Sequence, residues 1–221
     1  IHSEYARVVA HPAPVLSAGA ACPRVAVEVV RDGPAIIKAM MTMTYTDGRR
    51  LRDVLPPAMY QEVAQALAGL GMAEAAFRDF KPWAVMTQLS TPPGQTGEFL
   101  DMRLYRSAVS ERKRIQGLET MDEQLAIFDR LAEADQIALL RETLAIRPRL
   151  PLMLEQLTSA YLQRDLARLG VLSDALLAQS DPRLAALFRE RVVEARNRRM
   201  AERMRPLVDE GGWLIAVGAL H

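Results

Sequence analysis

Apolar positions recur at helical spacing through most of the chain. Met59, Val63 and Leu67 stand four apart, and Gly69 and Gly71 close the run, which predicts a helix over 57–70. A second helix opens at Pro82-Trp83 and runs to about residue 89, and the Pro- and Gly-rich stretch 90–97 reads as a loop. Leu100, Leu104 and Ala108 share one face of a helix over 98–113. Thr120-x-x-Glu123 forms a capping box for a helix over 120–131 that carries Leu125 and Phe128. A helix over 134–146 follows. Leu150, Leu154, Leu157 and Tyr161 make the apolar stripe of a helix over 150–169. Asp181-Pro182 supplies an N-cap and a first-turn proline for the longest helix, which runs to about residue 208 and ends before Gly211-Gly212.

Three short segments break the helical period: 24–30, 114–118 and 213–217. Each is short and mostly apolar on both faces, as in a parallel sheet covered by helices. Residue 1 is expected to continue a fourth strand. Strands separated by long helical stretches predict an α/β fold with a small, mostly parallel central sheet. The stretches 50–110 and 120–205 form its helical layers or insertions. No internal repeat stands out. The chain opens on Ile1-His2-Ser3 and ends on Gly218-Ala219-Leu220-His221, directly after a strand. It is therefore read as one domain, 1–221, truncated at both ends.

Ionisable groups sit at the ends of these strands. His2 follows the expected fourth strand, Glu28 lies late in the first visible one, Glu119 follows the second, and His221 comes four residues after Val217. In open parallel sheets, ligands bind outside the carboxyl ends of the strands. If the strands are parallel, two His and two Glu converge on one crevice. Such a set can bind a divalent metal such as Zn, Mn or Co. It can equally act as general base and acid without one. The plainer alternative is that Glu119 caps the next helix or faces solvent and the terminal histidines are merely flexible. Glu28 is harder to dismiss, because a carboxylate inside Val-Ala-Val-Glu-Val-Val needs a partner.

The long helix offers that partner. Arg196 has Val192 four residues before it and Met200 four after, which places it in the apolar stripe. An inward Arg is costly unless it meets a carboxylate or a bound anion, and Glu28 and Glu119 are the candidates. The alternative is an arginine snorkelling from the stripe edge. Asn197 is placed to orient a ligand or cap a strand end. Arg198 and Arg199 read as a solvated face, and Arg203 lies close to the stripe.

Other residues carry less. His11, in Ala-His-Pro-Ala-Pro, reads as a surface residue, and Cys22 as a small buried apolar one. Ser3 and Ser17 lack a nucleophile-elbow context. Met40, Met41 and Met43 read as core or interface fillers. Gly69-x-Gly71 ends a helix and so is no phosphate loop. With 28 Lys+Arg against 27 Asp+Glu, the formal net charge is +1, which leaves no excess to hold a nucleic-acid backbone or an anionic membrane. A single Cys excludes an internal disulfide framework and a multi-Cys zinc ribbon. No run of about 20 apolar residues marks a membrane span.

Taken in order, these segments resemble the TraB/PrgY/GumN family. Ile215-Ala-Val-Gly-Ala-Leu-His221 is similar to its second Gly-x-x-His motif, and Ile1-His2-Ser3 to the tail of its first. Val25-Ala-Val-Glu-Val29 resembles the family's strand ending in Glu. Gly97-Glu-Phe-Leu-Asp101 resembles a helix-opening segment, Gly117-Leu-Glu-Thr120 a Glu-containing turn, and Arg196-Asn197-Arg198-Arg199-Met200 the Arg-Asn helix motif. The resemblance covers the whole chain.

The family is related to Tiki-type proteases and to the fold class of erythromycin esterase-like and ChaN-like proteins. It implies a further helix and strand after His221. Tiki proteins are described as proteases dependent on Mn or Co, using two Gly-x-x-His motifs with a Glu and an Arg. By resemblance His2, Glu28, Arg196 and His221 take those roles, with Glu119 as a further acidic position. The reading implied is a metal-dependent peptidase-like hydrolase acting on peptides. His2 and His221 hold or flank Mn, Co or Zn, Glu28 is ligand or general base, and Arg196 pairs Glu28 or stabilises an oxyanion. The alternatives are a non-catalytic peptide-binding protein of the pheromone-shutdown kind and a metal- or haem-binding accessory protein. The resemblance also implies export, with attachment to a membrane only through an N-terminal anchor.

Overall fold

The structure is a computed structural model that describes Val8, 13–91 and 99–221. His2, His11 and the segment 92–98 lie outside the described residues. The elements in chain order are α1 (Ala13–Ala21), β1 (Arg24–Val29), α2 (Gly33–Met43), α3 (Leu51–Val54), α4 (Pro57–Ala68), α5 (Glu74–Phe77), α6 (Pro82–Leu89) and α7 (Leu100–Ser110). Then come β2 (Arg114–Glu119), α8 (Met121–Asp129), α9 (Glu133–Ile146), α10 (Leu150–Leu162), α11 (Leu166–Leu177), α12 (Pro182–Phe188), α13 (Ala195–Glu210) and β3 (Trp213–Ala216). The helix-rich α/β class read from the sequence is what the chain adopts. No helix among the described residues is long and apolar enough to cross a membrane.

The chain divides into two units, one of residues 1–31, 95–121 and 154–221, the other of 32–94 and 122–153. In the first unit the three strands form a sheet of order β2-β1-β3, and both pairings are parallel. The register sets Val25 beside Ile115 and Leu214, so equivalent ends of the strands line up. β1 is buried on both faces. Ala26 packs with Leu118, Met200 and Leu207, against α13. Val25 and Val27 pack with Ala108 of α7. Strand alternation therefore turns Glu28, two residues beyond Ala26, toward α13.

Two helices differ from the periodic reading. The stripe over 150–169 is cut after Leu162, where Arg164 takes a left-handed φ of 60°. Asp165 restarts the helix by accepting from the Arg168 amide. The long helix after the Asp181 cap is continuous in course, but Arg189–Glu194 is a π-helical turn. Such turns leave a bulge in the hydrogen-bond ladder and recur at functional sites. This one directly precedes Arg196.

In the second unit the buried side chains include Leu51, Val63, Leu67, Phe77, Trp83 and Leu140. α2, α3 and α5 are not among the helices expected from the sequence; α3 and α5 are too short to show a period, while α2 carries Ile36, Ile37, Met40 and Met41 at helical spacing. α2 is capped by Asp32, which accepts from the Ala35 amide, yet it buries none of its residues. Met40 and Met41, read as core or interface fillers, are 65% and 63% exposed on it and so do not fill the core.

Candidate functional site

The site forms at the carboxyl ends of β1, β2 and β3. Glu28 is 9% exposed, Glu119 3% and Arg196 7%, so three charges share one buried location. Burial on that scale demands pairing, and the pairing is complete. The Arg196 Nη2 donates to Glu28 Oε2 at 2.6 Å and to Glu119 Oε2 at 2.7 Å. Its Nε donates to the same Glu119 oxygen at 2.9 Å. One guanidinium thus clamps two carboxylates from neighbouring parallel strands. Burial works against the charge on Arg196, but Glu119 and then Glu28 outweigh it and raise its pKa.

Two glycines make this geometry accessible. Gly218 donates its amide to Glu28 Oε1 at 2.6 Å, and a Cβ on residue 218 would lie 3.0 Å from that oxygen. The glycine of Gly-x-x-His is there so that the backbone can approach the carboxylate. The His221 amide then closes a turn onto the Gly218 carbonyl at 2.9 Å. At Gly117 a Cβ would lie 2.8 Å from the Glu119 carbonyl oxygen. β2 folds in on itself at this point. Strict alternation from Gly117, which pairs with Val27, sets Glu119 on the α7 side of the sheet. The bend is what lets its side chain meet Arg196 on the α13 side.

His221 completes the cluster. Its Nε2 lies 3.0 Å from Arg196 Nη1, and its Nδ1 lies 2.7 Å from Asn197 Oδ1. A guanidinium can only donate, so Nε2 accepts, and Nδ1 carries the proton and donates to Asn197. The ring is neutral in this arrangement. Burial, then the Arg196 charge, hold its pKa below the usual histidine value of 6.5. The sign of the linkage follows. A group with a depressed folded pKa contributes stability above its unfolded pKa and loses it as pH falls through the folded one. Unfolding midpoints are expected to drop as pH goes below about 6.5, and less so in His221→Gln. Urea titrations of both proteins across that window test this; parallel pH profiles contradict it.

The structure thus brings together four of the five residues singled out in the sequence: Glu28, Glu119, Arg196 and His221. His2 lies outside the described residues. Glu119 is buried and does not face solvent, and Arg196 does not snorkel. Asn197 orients the His221 ring. Arg199 is a correction. It was read as part of a solvated face, but its Nη2 and Nε donate to Glu119 Oε1 at 2.6 and 3.2 Å. Helical spacing hinted at it, since Arg199 lies three residues beyond Arg196 and so on an adjoining face. Arg198 is exposed and pairs with Glu190. Arg203 donates to the Leu118 carbonyl at 2.7 Å. Cys22, read as buried, is half-buried.

A divalent ion of the kind the resemblance implied would draw on His2, Glu28 and His221. Among the described residues, no group of three His, Cys, Asp or Glu side chains is placed to hold one. The described pair does not fit such an ion in this arrangement. The one lone pair of the neutral His221 ring faces Arg196, and both Glu28 oxygens already accept an N–H. The cation that organises this centre is a guanidinium.

Comparison with known proteins gives one match. The model of the TraB/PrgY/gumN family covers residues 1–221, the whole chain. No curated protein and no solved structure matches.

Proposed function

The chain belongs to the TraB/PrgY/gumN family, and from that premise we propose that it is a peptidase-like hydrolase acting on peptides. The single observation that carries the reading is the convergence of Arg196, Glu28, Glu119 and His221 beyond the carboxyl ends of three parallel strands. Open parallel sheets place their reacting groups there.

The chemistry available to these groups is acid–base work beside a fixed cation. His221 is neutral, its tautomer is set by Asn197, and its Nε2 is the acceptor. Arg196 Nη1 holds that lone pair in this arrangement, so the reading requires the contact to open when a substrate enters, after which the neutral ring can take a proton from an attacking water. Arg196 Nη1 is the donor nearest to it, and the N–H released from His221 in the same opening can donate to a carbonyl oxygen on which negative charge develops, while the two carboxylates keep the rest of the guanidinium in place. Glu28 and Glu119 act through Arg196 as positioning residues, and Arg199 through Glu119.

The test is a mixed-sequence peptide library incubated with the protein, alone and with Mn, Co or Zn, and read by mass spectrometry. Cleavage is expected, and His221→Ala is expected to lower its rate by roughly 10²–10⁴-fold. Peptides recovered intact under every condition would sink the hydrolase reading. The second reading, a non-catalytic peptide-binding protein, is favoured by one feature: both oxygens of each carboxylate are already taken. Saturable peptide binding by calorimetry with intact recovery supports it instead.

A further inference from the structure

A second polar site lies in the unit formed by 32–94 and 122–153. Asp129, Glu133 and Gln136, from the end of α8 and the start of α9, line an open cleft of about 310 Å³ with Tyr45, Arg49 and Lys81. Its hydrogen bonds are distributed unevenly. Asp129 Oδ1 accepts from Lys81 Nζ at 2.7 Å and from Trp83 Nε1 at 3.0 Å. Glu133 Oε2 accepts from Tyr45 Oη at 2.8 Å and from Arg49 Nη1 at 2.9 Å. Each carboxylate therefore has one oxygen that takes two donors. The other oxygens, Asp129 Oδ2 and Glu133 Oε1, have no partner among the described residues.

A third acceptor is short of a donor too. Gln136 is 6% exposed, and its Nε2 donates to the Leu131 carbonyl at 3.1 Å. Its buried Oε1 has no hydrogen-bond partner. Leaving a buried acceptor unmet costs about 1–3 kcal/mol, so its retention on a cleft lining asks for an explanation. Charge points the same way. Arg49 is shared between Glu133 and Asp47, whose Oδ2 lies 2.8 Å from its Nε. Counting that bonded neighbour, three carboxylates face the two cations Arg49 and Lys81. Burial and then Glu133 raise the Tyr45 pKa, so the phenol stays neutral.

We propose that this cleft binds a primary ammonium group, held by the open oxygens of Asp129 and Glu133 and supplying the donor that Gln136 Oε1 lacks. A group with three N–H donors and one positive charge matches three acceptors and one unit of excess negative charge. The ammonium belongs to a peptide amino terminus or to a lysine-like side chain. The site shares no residue with the cluster around Arg196 and stands independently of the hydrolase reading.

Trp83 makes the test direct, because its indole N–H is bonded to Asp129 itself. The second indole, Trp213, is bonded to Glu210 and serves as an internal control. Isotope-labelled protein is titrated with n-butylammonium chloride, with n-butanol and sodium butyrate as neutral and anionic counterparts. Saturable movement of the Trp83 indole resonance is expected with the ammonium alone, with a dissociation constant on the order of millimolar. Glu133→Gln, an isosteric change on an exposed side chain, is expected to weaken binding roughly tenfold, and Gln136→Leu to weaken it without unfolding the protein. Nα-acetyl-lysinamide and alaninamide then separate the side-chain from the terminal source. The proposal is overturned by a response to butanol or butyrate as strong as to the ammonium. It is equally overturned by no saturable response in the tens-of-millimolar range, or by unchanged affinity in Glu133→Gln.

Discussion

Arg196→Met is expected to lower the unfolding free energy by about 3–5 kcal/mol, the range for breaking a buried ion pair from one side. The substitution keeps most of the aliphatic volume but removes the donor common to Glu28 and Glu119. Glu28 keeps only the Gly218 amide, and Glu119 keeps Arg199. Two buried carboxylates with one remaining guanidinium repel each other. Protonating a carboxyl relieves both that repulsion and the cost of an unpaired buried charge. The deficit of the variant should therefore be large at pH 7 and shrink toward pH 4. Denaturant unfolding at the two pH values decides the matter. A loss that is equal at both would show that Arg196 acts through packing and not through charge.

Leu118→Ala provides the contrast, with an expected loss of about 2–5 kcal/mol. Leu118 is fully buried and packs with Ala26, Met200 and Leu207, directly beneath the charged cluster. Its truncation leaves a cavity in the layer between β1, β2 and α13. No ionisable group changes its partner, because the Arg203 bond is to the Leu118 backbone. The loss should thus be nearly the same at pH 7 and pH 4. If it instead followed pH as Arg196→Met is expected to, the cavity would have reached the Glu119 clamp, and the two residues would be coupled in a double-mutant cycle.

These two residues also show how much of the site the chain announces. Glu28 was legible because a carboxylate within a run of branched apolar residues has no solvent to return to. Arg196 was legible because residues four apart on either side of it are apolar. Arg199 was not, since spacing alone does not tell a solvated arginine from one bent back onto a strand end. The role of Gly117 was equally hidden. Nothing in Gln-Gly-Leu-Glu says that the strand bends there, and only the 2.8 Å approach of the Glu119 carbonyl to the absent Cβ reveals it. α2 is a different case. Ile36, Ile37, Met40 and Met41 do stand at helical spacing, but the structure leaves that stripe exposed, so pattern and core do not coincide there.

The amino-acid sequence by itself determined the α/β class, the three strands and their doubly covered character, and the need of Glu28 and Arg196 for buried partners. Those properties follow from local periodicity and from the cost of burying charge, both of which act over a few residues. The tertiary structure decided who meets whom. Arg196 reaches Glu28 across 168 positions and Glu119 across 77. Parallel pairing aligned those strand ends, while the Gly218 approach and the bend after Gly117 set the last ångströms. It also decided that the lone pair of His221 is spent on a guanidinium. Hydrogen-bond partners are chosen by three-dimensional proximity and donor geometry, which no pattern of neighbours along the chain contains.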